Sequence, residues 1–258
     1  MNAACYTIHL MQRLYQTEWH DIPLASCAKL SCFTLPDSAF YSAFYEAFFR
    51  KYRSFSDMSA SWISQKREWA AKVLSCLPAS GVPHVLSVGC GLGCVESVLL
   101  AERADIHLHC TEISETPLRW LRPLLPEGRC HVGYVPDCLP HGLEFDVLYC
   151  GSIDYAMPDA EWLRLLEALR ARLRDGGRIV ILSASLSPDP RMSMRGYARR
   201  CRYALRILRH LLGREAVQFW GWMRTVEENV ALCRKAGLSA IEYGQLGSDP
   251  HCLWLTAS

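Results

Sequence analysis

The ten residues His84-Val85-Leu86-Ser87-Val88-Gly89-Cys90-Gly91-Leu92-Gly93 constrain this chain more than any other stretch. Val85, Leu86 and Val88 read as a buried strand that stops at glycines on every second position. A helical pattern then begins, with Val95, Val98, Leu99 and Glu102 in step and Glu96 in the first turn. A strand that runs through a glycine turn into a helix aims backbone N–H groups at a ligand. A Cβ at those positions would hold the ligand off the backbone. The spacing Gly89-x-Gly91-x-Gly93 lacks the extra residue with which G-x-G-x-x-G makes room for a pyrophosphate, so a nicotinamide-dependent reductase is disfavoured.

Strand and helix patterns keep alternating beyond the turn. Ile106 to Thr111 ends at Glu112, about 20 residues past the glycines, where a carboxylate can take both hydroxyls of a ribose. After a helix, a third short strand from Cys130 to Val135 closes on Asp137-Cys138-Leu139-Pro140. A fourth, Phe145 to Cys150, leads into Gly151-Ser152-Ile153-Asp154-Tyr155. A long helix (Trp162, Leu165, Leu166, Leu169, Leu173) stops at Gly176-Gly177, and Arg178 to Leu182 reads as a fifth strand. Such alternation implies a parallel sheet covered by helices on both faces. Right-handed crossovers then put the ligand at the carboxyl ends of the strands, where strand order reverses.

From His84 to Ser183 the chain resembles the class I S-adenosylmethionine-dependent methyltransferases, small-molecule branch. Val88 to Gly93 is similar to that family's glycine motif, and Glu112 to its ribose acid. Asp137 matches the acid near the adenine amine, Phe145-Asp146-Val147-Leu148 the strand beside the methyl group, and Leu173-Arg174-Asp175-Gly176-Gly177-Arg178 the turn before strand five. The resemblance implies an α/β fold with a Rossmann-like doubly wound, seven-stranded, mostly parallel sheet. It adds a C-terminal antiparallel hairpin, from Ser239 to Leu246 and His251 to Ala257. It also implies S-adenosyl-L-methionine as cofactor, with S-adenosyl-L-homocysteine as product. The cofactor residues it implies are Gly89, Cys90, Gly91, Gly93, Glu96, Glu112, Ile113, Asp137, Cys138, Cys150, Gly151 and Ser152. One departure stands out: the family usually carries an acid two residues before the first glycine, and this chain has Ser87. Histamine N-methyltransferase resembles it there, with a Ser on the strand and an acid just after the last glycine; Glu96 is in place to supply the same charge.

At 258 residues the chain fits one α/β domain with a helical extension: residues 1–80 as a helical lid and 81–258 as the methyltransferase domain, with a helical insertion at 186–225. Tyr41, Phe44, Tyr45, Phe48, Phe49, Tyr52 and Phe55 form one helical stripe. That stripe is either core or, as in the resembled family, an aromatic lid in which Tyr45 touches the acceptor. A second helix is expected near Trp62 to Leu77. Net charge is only +2, but Arg191 to Arg214 holds eight arginines and no acid, leaving 20 basic against 26 acidic residues elsewhere. Its stripe (Tyr197, Cys201, Leu205, Leu208, Leu212) marks a basic amphipathic helix, suited to a solvated face, an anionic small molecule, a membrane surface or RNA. Trp220, Trp222 and Arg224 are either acceptor wall or packing, and a Thr225 cap opens the next helix. Thirteen cysteines, an odd number with no C-x-x-C pair, suit buried thiols in a reducing cytoplasm. His107, His109 and Cys110 lack the spacing of a metal site, so no metal is expected. No apolar run is long enough for a membrane span, and no secretory signal pattern opens the chain.

Methyl transfer needs positioning above all, with at most one general base where the acceptor is a hydroxyl. Asp154 and Tyr155, just past strand four, are the candidates to orient or deprotonate the acceptor; the alternative is a turn residue and a packing residue. The expected activity is methylation of an oxygen or nitrogen of a small molecule. An RNA methyltransferase using the basic helix and a non-catalytic cofactor-binding module are the alternatives.

Overall fold

The computed structural model describes residues 13–16, 18–27, 36–184, 205, 208, 209, 212, 219–222, 224–247 and 249–258. Three short strands come first: β1 (Arg13–Gln16), β2 (Glu18–Trp19) and β3 (Ile22–Pro23). The expectation of an entirely helical N-terminal region is therefore corrected. Strands of two to four residues are too short to display a period of two, and they hold their shape through pairing. β2 pairs with β3, while β1 pairs antiparallel with β9 (Phe219–Trp222), some 200 residues away, with Tyr15 opposite Trp220. The two expected helices follow, α1 (Ser38–Lys51) and α2 (Ala60–Leu74). Asp37 caps α1 by accepting from the Phe40 N–H at 2.9 Å.

The sheet is built from β4 (His84–Val88), β5 (His107–Glu112), β6 (Cys130–Val132), β7 (Phe145–Gly151), β8 (Leu173–Ala184), β10 (Glu242–Leu246) and β11 (Asp249–Ala257). Among the described residues these seven lie in the order β10-β11-β8-β7-β4-β5-β6. The pairs β4/β5, β5/β6, β4/β7 and β7/β8 are parallel, and β11 runs antiparallel to both β8 and β10. The mostly parallel sheet with a terminal antiparallel hairpin is thus the one expected. Order reverses between β4 and β7, which opens a crevice at their carboxyl ends.

Alternation along each strand sorts side chains onto two faces. Leu86 of β4 and Leu148 of β7 pack with Trp162 and Leu166 of α4 (Asp159–Arg170) and Val230 of α5 (Val226–Lys235). Val85 and Val147 face the opposite side, against Trp69 and Val73 of α2 and Val95 and Leu99 of α3 (Cys94–Glu102). Phe40, Phe44 and Phe48 of α1 form a third cluster with Ile22, Leu24 and Leu92 of the glycine turn. Thr225 caps α5 through a reciprocal box with Glu228, as its sequence predicts.

Two further expectations are corrected. No α-helix joins β5 to β6; the chain there makes two 3-10 turns, Thr116–Arg119 and Arg122–Leu124. Pro117, Pro123 and Pro126 break the periodic pattern by removing amide donors. The third strand stops at Val132 rather than Val135, because Gly133 adopts φ 134° and turns the chain. The basic helix expected at 191–214 lies almost wholly outside the described residues; within it Leu205, Leu208 and Leu212 are exposed.

Candidate functional site

A cavity of about 670 Å³ fills the crevice between β4 and β7. Gly89, Gly91 and Gly93 each take positive φ (67°, 55° and 80°), so the turn depends on glycine at all three positions. Space reinforces conformation at two of them. A Cβ on Gly89 would stand 2.5 Å from Ile153 Cγ2, and one on Gly93 2.6 Å from Leu121 Cβ. A Cβ on Gly91 would point toward the Tyr45 hydroxyl at 3.2 Å, on the ligand side.

Glu112 ends β5 at the rim of the cavity. Its Oε2 accepts from the Gly91 N–H at 2.9 Å and its Oε1 from the Ile113 N–H at 2.8 Å. Each carboxylate oxygen keeps a second lone pair for a ligand hydroxyl. Burial raises the Glu112 carboxyl to about 7, against the pull of those two backbone donors.

The departure at Ser87 is resolved by the sheet register. Ser87 of β4 pairs with Tyr149 of β7, so both side chains emerge on the face that α3 covers. Glu96, in the first turn of α3, meets both: its Oε1 accepts from Ser87 Oγ and from the Tyr149 hydroxyl, each at 2.5 Å. Its Oε2 has no hydrogen-bond partner among the described residues, although Glu96 is 1% exposed and borders the cavity. Burial pushes the Glu96 carboxyl above its ordinary value. The first-turn position favours a negative charge by up to about 2 kcal/mol. Desolvation of a buried ion costs several kcal/mol, and it prevails.

The cavity gathers most of the sequence-predicted residues. Gly89, Cys90, Gly91, Glu96, Glu112, Ile113, Gly151 and Ser152 line it, as do Tyr45 and Tyr155. Gly93 shapes the turn from behind and caps α3. Asp137 is exposed and lies outside the lining, which Gly133, Tyr134, Val135 and Pro136 supply instead, because the chain turns away at Gly133. Cys138 and Cys150 pack in the core beneath the site. Asp154 is 2% exposed and behind the wall, its Oδ2 accepting from Ser183 Oγ at 2.5 Å. Arg224 does not face the cavity either. Its three donating nitrogens serve the wall: Nη1 to Asp154 O and Nη2 to Met157 O, both at 2.6 Å, and Nε to Asp159 Oδ1 at 2.8 Å. It therefore holds the Asp154–Met157 turn, whose Tyr155, Ala156 and Met157 do border the cavity. Trp222 is half-buried and outside the lining, while the Trp220 side chain falls outside the described residues.

Of the segments before the sheet, sequence reasoning named only Tyr45 as a site residue. Trp19, His20, Tyr41, Trp62, Lys66 and Trp69 all reach the cavity. α1 is tied over it by Ser42 Oγ and Ser114 Oγ at 2.7 Å and by Arg119 with Glu46 at 2.7 Å. Burial and the nearby Lys66 lower His20 to about 4, so its imidazole is neutral near pH 7. The helical stripe divides its work: Phe40, Phe44 and Phe48 build core, while Tyr41 and Tyr45 face the cavity.

No family model matches the chain, and no curated protein matches it. Solved structures do. A candidate O-methyltransferase from Nostoc punctiforme superposes with TM-score 0.62 at 14% identity, covering 91% of this chain and 66% of its own length. Mitomycin 7-O-methyltransferase gives TM-score 0.55 at 17% identity, with 86% and 63% covered. Human N-acetylserotonin methyltransferase in complex with S-adenosylmethionine gives 0.54 at 16%, with 86% and 56% covered. The chain thus spans less than two thirds of the length of each of these neighbours. At such identities the likeness speaks for architecture: this chain has the fold of the class I S-adenosylmethionine-dependent methyltransferases.

Proposed function

We propose that the chain is an S-adenosylmethionine-dependent methyltransferase acting on an oxygen or nitrogen of a small molecule. The observation that carries this reading is the cavity at the strand-order reversal, bounded by the glycine turn and holding two buried carboxylates on its wall. The residues present fit the cofactor. Glu112 would take the ribose hydroxyls on its free lone pairs, and Glu96 Oε2, orphaned and buried, suits the ammonium of the methionine end. Gly133 to Pro136 would border the adenine, a role the resemblance implied for Asp137. When bound, the cofactor supplies a methyl group made electrophilic by its sulfonium.

The chain's own task is then to hold and orient. Trp19, Tyr41, Trp62 and Tyr155 give the remaining cavity apolar, planar walls, which favour a flat acceptor. Positioning a donor and an acceptor in line can supply about 7–11 kcal/mol of the barrier. Tyr155 is the predicted catalytic residue that borders the cavity; burial holds its phenol above the ordinary value, so it serves as a hydrogen-bond donor. His20 stays neutral and can accept from an acceptor hydroxyl, but at about 4 it is a weak base. Asp154 acts through the turn it anchors. The names of the structural neighbours, two of them O-methyltransferases of which one is named for mitomycin, support the small-molecule acceptor. Buried thiols such as Cys110, Cys150 and Cys233 support a cytoplasmic setting, and no helix among the described residues is long and apolar enough to cross a membrane.

Incubation with methyl-labelled S-adenosylmethionine and fractionated cell extract tests the reading. Label is expected in low-molecular-mass material. Label in RNA or protein, or in no fraction at all, would refute it.

A further inference from the structure

Among the described residues, five buried side-chain atoms lack hydrogen-bond partners: Trp69 Nε1, Glu96 Oε2, Asp154 Oδ1, Trp162 Nε1 and Asn229 Oδ1. Two of the five belong to cavity-lining residues, Trp69 and Glu96. They are opposite in kind, since an indole N–H only donates and an unprotonated carboxylate oxygen only accepts. A third polar group stands beside them. Lys66, one turn before Trp69 on α2, lays its Nζ 3.3 Å from the centre of the Trp69 ring and 5.5 Å from that of Trp62. It also lines the cavity, and it forms no ion pair with a described residue.

The three residues that carry these groups line the same end of the cavity. Trp69 packs against the carboxyl end of β7, where a Cβ on Gly151 would come within 2.9 Å of its ring. Glu96 is bonded to Tyr149 two residues earlier on that strand, and Lys66 feels the charge of Glu96. The residues lining this end of the cavity thus hold one acceptor and two donors, one of them cationic, that no described residue uses. That pattern is the complement of an α-amino acid zwitterion.

We propose that Lys66 Nζ and the Trp69 indole N–H together bind the α-carboxylate of the cofactor's methionine end, opposite the ammonium that Glu96 receives. The inference rests on the cofactor reading above and assigns two residues to it that sequence motifs do not mark. It accounts for a cation held against tryptophan faces with no counterion among the described residues. Burial lowers Lys66 to about 8 in the free protein, and a bound carboxylate would restore its charge. A general-base role toward the acceptor is the competing use of such a lysine, and the experiment separates the two.

Affinities for S-adenosylhomocysteine and for 5′-methylthioadenosine should be measured by calorimetry at pH 7. The second compound keeps the nucleoside and the sulfur but has no amino-acid end. Lys66→Met and Trp69→Phe are each expected to weaken S-adenosylhomocysteine about tenfold or more, the scale of one charge-assisted hydrogen bond. Affinity for 5′-methylthioadenosine should stay within about twofold of wild type, and Lys66→Arg should recover most of the loss. Unchanged S-adenosylhomocysteine affinity in Lys66→Met, with or without loss of turnover, would overturn the assignment, as would equal weakening of both compounds. Wild-type protein that binds neither compound would instead remove the cofactor reading itself.

Discussion

Glu112 should make cofactor-site affinity rise with pH between 6 and 8. In the free protein burial lifts its carboxyl from the ordinary 4.5 to about 7, even though the Gly91 and Ile113 N–H groups favour the ionised form. A bound ribose would bring hydroxyl donors, which stabilise the carboxylate and lower that value again. The sign follows: binding releases a proton, so affinity is weak while the free carboxyl is protonated and grows as pH rises through about 7. With a midpoint near 7, roughly a tenth of the free protein is ionised at pH 6 and roughly nine tenths at pH 8. Affinity for S-adenosylhomocysteine is therefore expected to increase about tenfold across that window, or about 1.4 kcal/mol. His20, near 4, stays neutral throughout, and Lys66, near 8, works in the opposite sense only at the upper edge. Glu96 is also raised and acts in the same direction as Glu112, so a variant must separate them. Glu112→Gln cannot titrate, and its amide NH₂ would confront one of the two backbone N–H groups, leaving a buried donor unpaired at about 1–3 kcal/mol. Calorimetry from pH 5.5 to 8.5, in buffers of different ionisation enthalpy, reads both affinity and proton release. A flat wild-type profile, or a Glu112→Gln profile that keeps the wild-type slope, would refute the reasoning.

Gly91→Ala should abolish the thermal stabilisation given by S-adenosylhomocysteine while lowering the melting temperature of the free protein only modestly. Its φ of 55° costs an alanine about 1–2 kcal/mol, and its Cβ would enter the ligand side beside the Tyr45 hydroxyl. Gly93→Ala should instead destabilise the free protein by more, measurable by denaturant titration, because its Cβ would meet Leu121 at 2.6 Å in the core. Arg224→Ala should lose about 2–4 kcal/mol of stability, with Arg224→Lys recovering only part, since one ammonium cannot serve two carbonyls and a carboxylate in the arginine's fork. Tyr155→Phe should leave S-adenosylhomocysteine affinity within about twofold and slow methyl transfer, read as kcat with the acceptor once it is identified.

What could be read from the chain was what neighbouring residues settle among themselves. The strand, the glycine turn and the helix from His84 to Glu102 are contiguous, and Glu112 sits at a spacing that the crossover dictates. Lys66, Trp69, His20 and Trp19 were hidden because they reach the cavity from elements outside the sheet, and nothing local distinguishes them from other aromatic and basic residues. β1 and β9 escaped for a related reason: each has only four residues, and their shape comes from pairing across the length of the chain. Asp137 is the converse case. Its position matches a motif, yet the turn at Gly133 brings Gly133 to Pro136 to the cavity and leaves Asp137 in solvent. Arg224 looked like a substrate contact because it adjoins two tryptophans, but a buried guanidinium must satisfy its donors, and three wall groups were nearer.

The serine at position 87 has meaning only together with Tyr149 and Glu96. Register places Ser87 beside Tyr149, and the helix that follows the glycine turn must cross the face on which both hydroxyls emerge. A carboxylate in the first turn of that helix is then met by two O–H donors on one oxygen, which offset part of its desolvation and fix its rotamer. The other oxygen has no hydrogen-bond partner among the described residues. An acid on the strand as well would bring two carboxylates together in a buried site, where like charges cannot both ionise. The strand therefore carries a donor because the helix carries the carboxyl group. The hydrogen-bonded unit at this end of the cavity is the triad of Ser87, Tyr149 and Glu96, which no single stretch of the sequence contains.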